Sequence, residues 1–79
     1  MSVRSSIVRI FEEVASEQKH KLAPLTDDLK LLQSGLDSLS FALIVARLED
    51  AFNVDPFEHL DAFPVSFGDF VKLYEKESA

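Results

Sequence analysis

Apolar residues recur at helical spacing in three stretches of the chain, and breaks containing Pro, Gly, Asn and Asp separate them. In the first stretch Val3, Ile7, Ile10, Phe11 and Val14 share one face, while Arg4, Arg9, Glu12, Glu13 and Glu17 take the other. That division predicts an amphipathic helix, with Ser2 placed to cap it. The pattern fades at Gln18-Lys19-His20-Lys21, where basic side chains suit the negative end of a helix. The second and strongest stretch runs from Ser38 to about Phe52, with Phe41, Ile44, Val45, Leu48 and Phe52 assigned to the core face. The third follows Ser66, a suitable cap, and carries Phe67, Phe70, Val71 and Tyr74 on one side.

The connections differ in kind. From Leu22 to Gly35 there is no sustained period, and Pro24 and Thr26-Asp27-Asp28 favour turns. Leu22, Leu25, Leu29, Leu31 and Leu32 nevertheless recur, which predicts a long loop pinned to the core, with one short helical turn. Ordered loops of this length are often functional. After the second stretch, Asn53-Val54-Asp55-Pro56 breaks the helix. Asp55, with Pro56 at a first helical position and Glu58 three residues on, predicts a short further helix to about Asp61. No segment alternates as a strand would. The expectation is an all-α fold: a four-helix bundle in a single domain over 1–79, with a long loop between helices 1 and 2 and a short third helix.

Composition narrows what such a domain can do. Apolar residues make up 47% of the chain and seven Phe supply much of the bulk, so a core is feasible, although one core of this size supplies only about 3–5 kcal/mol. With no Cys there is neither a disulfide nor a thiolate metal site. The net charge of -6 excludes the basic face a nucleic-acid binder needs. The longest apolar run, Phe41 to Ala46, is far short of the ~18 residues of a membrane span, and the first residues lack the features of a signal peptide. A cytoplasmic monomer is expected. His20 and His59 have no partner spacing for a metal and are expected at or near the surface. Asp50, Asn53 and Asp55 lack the offsets of a calcium loop. No carboxylate pair suits a catalytic pocket, so the chain is not expected to be an enzyme.

The stretch that carries chemistry is Gly35-Leu36-Asp37-Ser38-Leu39-Ser40. Gly35 can turn the loop into the helix through a backbone geometry closed to other residues, and Leu36 and Leu39 could pin the turn from both sides. Asp37 and Ser38 then lie at a helix start, where free N–H groups favour an anion by about 0.3–1 kcal/mol. Asp-Ser before an apolar helix is also an ordinary cap, so the dipeptide alone leaves open whether Ser38 is functional.

Gly35-Leu36-Asp37-Ser38-Leu39 resembles the attachment motif of the phosphopantetheine-dependent carrier family, the acyl carrier proteins and peptidyl carrier domains. The resemblance spans nearly the whole chain: the first helix, the leucine-bearing loop, the motif, Ile44-Val45-Ala46-Arg47-Leu48-Glu49-Asp50-Ala51-Phe52, and Phe63-Pro64-Val65-Ser66 before the last helix. It implies that Ser38 receives a covalent 4'-phosphopantetheine arm from coenzyme A through a separate Mg²⁺-dependent phosphopantetheinyl transferase. It also implies that Asp37 helps dock that transferase, and that the arm's thiol holds an acyl, aminoacyl or peptidyl thioester for partner enzymes.

If the assigned core face of the second helix is right, Leu39, Leu43 and Ala46 lie on the other side, flanked by Arg47 and Asp50, and form a docking stripe beside Ser38. Leu39 fits docking and packing under the loop equally well; Leu43 is assigned to docking. Ser40, Leu43 and Arg47 replace the acidic residues that fatty-acid-type carriers have in this region. Ala46-Arg47-Leu48 is similar to peptidyl carriers, whereas Leu36-Asp37 is similar to acyl carriers. The mixture implies a free-standing carrier in secondary metabolism (nonribosomal peptide, polyketide or a related acyl-transfer pathway). It would be loaded by an adenylating acyl or aminoacyl ligase or an acyltransferase, and served by condensing or tailoring enzymes. The alternative is a helical protein–protein interaction module in which Ser38 only caps a helix.

Overall fold

The first amphipathic stretch forms α1, Val3–Glu17, and buries Ile7, Ile10, Phe11, Val14 and Ala15. Its start is fixed by Ser2, whose side chain accepts a hydrogen bond from the Ser5 N–H at 3.0 Å. Its end is a Schellman turn. Lys19 enters the left-handed region at φ 59°, its N–H donates to Ser16 O at 3.2 Å, and the His20 N–H donates to Ala15 O at 2.8 Å. The helix therefore ends just before the basic residues, and the backbone of His20 is held by α1 itself.

The computed structural model describes residues 2–53 and 64–78. Within them are three α-helices, α1, α2 (Ser38–Phe52) and α3 (Phe67–Ser78), with a single 3-10 turn at Leu31–Gln33. The architecture is all-helical. The short helix expected over 56–61 lies outside the described residues, so the fourth member of the expected bundle is not among these elements. The last helix starts where Ser66 was expected to cap it, with the Asp69 N–H donating to Ser66 Oγ at 3.2 Å.

Both α2 and α3 pack on α1. Phe11 is the hub: its ring meets those of Phe67 and Phe70 edge-on at centroid distances of 5.2 and 5.4 Å, and that of Phe41 at 6.2 Å. T-shaped contacts of this kind add to the value of burying the rings. Ile44 and Leu48 from α2, with Val71 and Tyr74 from α3, close the core around this cluster.

The long loop is tied down by main-chain hydrogen bonds rather than by apolar contact alone. Leu31 N–H donates to Val65 O and Phe67 N–H to Leu29 O, both at 2.8 Å. These bonds flank an isolated antiparallel bridge between Lys30 and Ser66, which fastens the loop to the start of α3. Leu22, Leu25 and Leu29 pack against the core and Leu31 is buried, as the recurrence of leucine suggests. Leu32 departs from that expectation. It is 95% exposed, because the 3-10 turn points adjacent residues in different directions and only Leu31 faces inward.

Candidate functional site

Gly35 sets the geometry that delivers the chain to α2. Its φ is +95°, and a Cβ built on it would lie 2.3 Å from Lys21 O. Only glycine fits both demands. The loop on its N-terminal side is braced by Ser34, a buried residue whose hydroxyl donates to Leu31 O at 2.6 Å. On the other side Leu36 is buried. Leu39 does not share the pinning expected of it, since it is 58% exposed.

Asp37 is the N-cap of α2, with extended backbone (ψ 179°), and its Oδ1 accepts from the Ser40 N–H at 2.8 Å. This corrects the alternative in which Ser38 is the cap: Ser38 is the first residue inside the helix and is solvent-exposed. The first helical hydrogen bond runs from Phe41 N–H to Asp37 O, so the N–H groups of Ser38 and Leu39 have no acceptor within the helix. The motif thus places an exposed serine at the positive end of α2, a setting that accommodates a phosphate ester.

The Asp37 carboxyl is held below the usual aspartate range, first by the hydrogen bond from the Ser40 N–H and further by His20. His20 Nε2 lies 3.3 Å from Asp37 Oδ2. A lowered folded-state pKa gives stability that is fully present above the ordinary value of about 3.9 and is lost as pH falls through the lowered one. Asp37→Asn retains a good capping side chain but cannot titrate. Thermal melts on acidification should therefore show a smaller loss of Tm for this variant than for the wild type; equal losses would contradict the assignment.

Along α2 the inward direction is centred on Ser40, Ile44 and Leu48, each 0% exposed. Successive helical residues are rotated by about 100°, so Phe41 and Val45 lie to one side of this line, and Leu43 and Arg47 to the other. Phe41 and Val45 are half-buried and line an apolar groove, together with Ala42 and Ala46, that begins at Ser38. Its far wall includes Leu31 and Val65. The core face assigned from the pattern is therefore rotated, because polar Ser40 occupies an interior position and apolar Phe41 and Val45 stand at its edge.

The residues expected to form the docking stripe are distributed accordingly. Ala46 is exposed on the groove. Leu39 and Asp50 are exposed, while Leu43 is half-buried and packs against the core. Arg47 turns towards α1. Its guanidinium binds the Glu17 carboxylate through both terminal nitrogens, Nη1 to Oε2 at 2.9 Å, and Nη1 lies 3.9 Å from Glu13. This pairing lowers the Glu17 pKa and raises that of Arg47. Two features escaped the sequence reading: the far wall of the groove and the His20–Asp37 contact. Both join segments distant in sequence and carry no periodic signal.

Among the described residues, no helix is long and apolar enough to cross a membrane. A family model described as a phosphopantetheine attachment site matches residues 5–60. No curated protein and no solved structure matches the chain.

Proposed function

Because the chain belongs to the phosphopantetheine attachment-site family, whose members carry 4'-phosphopantetheine covalently, we propose that Ser38 is the attachment residue of this carrier protein and Asp37 part of the surface its transferase reads. The observation that supports Ser38 most is the division of labour at the start of α2. Asp37 does the capping, which leaves Ser38 exposed beside main-chain N–H groups with no acceptor in the helix.

In the modification the Ser38 oxygen forms a new bond to phosphorus while the pyrophosphate linkage of coenzyme A breaks. The nucleotide half leaves, and the serine proton passes to a base of the transferase. Once attached, the arm supplies a thiol that bears acyl groups as thioesters. The chain's own part is positional. The turn at Gly35 fixes where Ser38 points, the first turn of α2 offers N–H groups to the phosphate, and the groove offers an apolar wall next to it. The protein acts as a non-catalytic cytoplasmic carrier, presenting cargo to an adenylating ligase or acyltransferase and to condensing or tailoring enzymes, in a secondary-metabolic pathway. The absence of an acidic run on α2 beside Ser38 supports that assignment over fatty-acid synthesis.

Incubation with coenzyme A, Mg²⁺ and a phosphopantetheinyl transferase, followed by intact-mass measurement, should show a single added arm. The groove makes a separate prediction. Ala46 is exposed, so Ala46→Glu should leave thermal stability close to that of the wild type. A carboxylate on an apolar docking wall must be desolvated when a partner closes over it. Loading of the modified protein by its acylating partner should therefore fall several-fold, mainly through KM. Unchanged loading kinetics would remove the groove from the docking surface.

A further inference from the structure

We propose that His20 tunes the modification of Ser38 through charge: its imidazole sits against the second oxygen of Asp37 and sets how much carboxylate charge the transferase meets. The inference rests on Ser38 and Asp37 having the roles assigned above. Asp37 uses its two oxygens differently. Oδ1 accepts from the Ser40 N–H at 2.8 Å, and His20 Nε2 lies 3.3 Å from Oδ2.

Two backbone devices create that contact. The Schellman turn fixes His20, through its own N–H to Ala15 O at 2.8 Å. The close approach of Gly35 to Lys21 O then brings the segment preceding α2 against the segment following α1. The imidazole and the carboxylate thus meet because of main-chain geometry, with neither side chain searching from a free loop.

Neutral His20 gives Asp37 a hydrogen bond and leaves its negative charge intact. Protonated His20 forms an ion pair with it and cancels that charge at the site the transferase must recognise. Glu12 of α1 lines the same shallow hollow as His20, and Lys19 and Lys21 flank His20 in the chain.

The test measures kcat/KM for transfer of the arm to wild type and His20→Gln by one transferase, at about pH 6 and about pH 8, either side of the range in which histidines ordinarily titrate. Taking the ratio of variant to wild type removes the transferase's own pH dependence. The ratio should be near unity at the higher pH and rise about two- to fivefold at the lower one, the scale of a partly exposed ion pair, with the change in KM. His20→Lys, a permanent cation, should lower kcat/KM at the higher pH and flatten the profile. A structural role alone would change Tm without producing a pH-dependent ratio. A ratio independent of pH, with Ser38 still modified, overturns the role of His20 and leaves the attachment reading intact. Failure of the wild type to be modified overturns both.

Discussion

Ser38→Ala is expected to abolish addition of the arm completely while leaving the fold in place. The hydroxyl oxygen is the atom that would bond to phosphorus, so its removal eliminates the reaction rather than slowing it. The fold should survive because the α2 cap belongs to Asp37, Ser38 is exposed, and alanine is the best helix former. Intact mass after treatment with coenzyme A and transferase should show no adduct, and circular dichroism should show undiminished helicity. An adduct on the variant would place the attachment elsewhere. Loss of helicity would mean that Ser38 has a structural part that its position in α2 does not suggest.

Gly35→Ala is expected to be the most damaging small substitution in the site. A non-glycine residue held in a sparsely populated backbone region costs about 1–3 kcal/mol, and here φ is +95°. The added Cβ would also meet Lys21 O at 2.3 Å, a main-chain atom that cannot swing aside as a side chain could. Thermal unfolding should show Tm lowered by about 4–8 °C for each kcal/mol lost in a domain of this size. Arm transfer to the folded fraction should also slow, because relief of the clash moves the turn that aims Ser38. A Tm equal to that of the wild type would show that the loop accommodates a side chain at this position.

Much of the architecture follows from local patterning. The bounds of α1 and α2 coincide with Ser2 and Asp37, which can cap, and with the basic and Asn-containing breaks that follow. Asn53 ends α2 in the left-handed conformation at φ 59°, as asparagine tolerates. Helix starts are legible because they depend on side chains a few residues apart. The rotation of α2 was not legible. Ser40 is polar yet interior, and the pattern around it pulls the assigned core face towards Phe41 and Val45. The bridge from Lys30 to Ser66 and the contact from His20 to Asp37 are tertiary, and neither leaves a period in the sequence. Arg47 shows the same limit. On its own helix it reads as a flank to a docking stripe, but α1 supplies Glu17, a partner 30 residues away.

These differences bear on function. The exposed polar groups at the head of α2 and the apolar groove meet at Ser38, so phosphate recognition and partner contact are arranged on adjacent faces of one turn. His20 joins the end of α1 to that turn, and the conformation of Gly35 makes the junction possible. Substitution at either position should affect modification without touching the serine itself.

The central claim is the identity of one modified oxygen. Proteolysis of the coenzyme-A-treated protein, followed by tandem mass spectrometry of the peptide spanning the start of α2, tests it most directly. The phosphodiester should map to Ser38, with neighbouring Ser34 and Ser40 unmodified. Localisation to another residue, or an unmodified peptide after exposure to several active transferases, would contradict it.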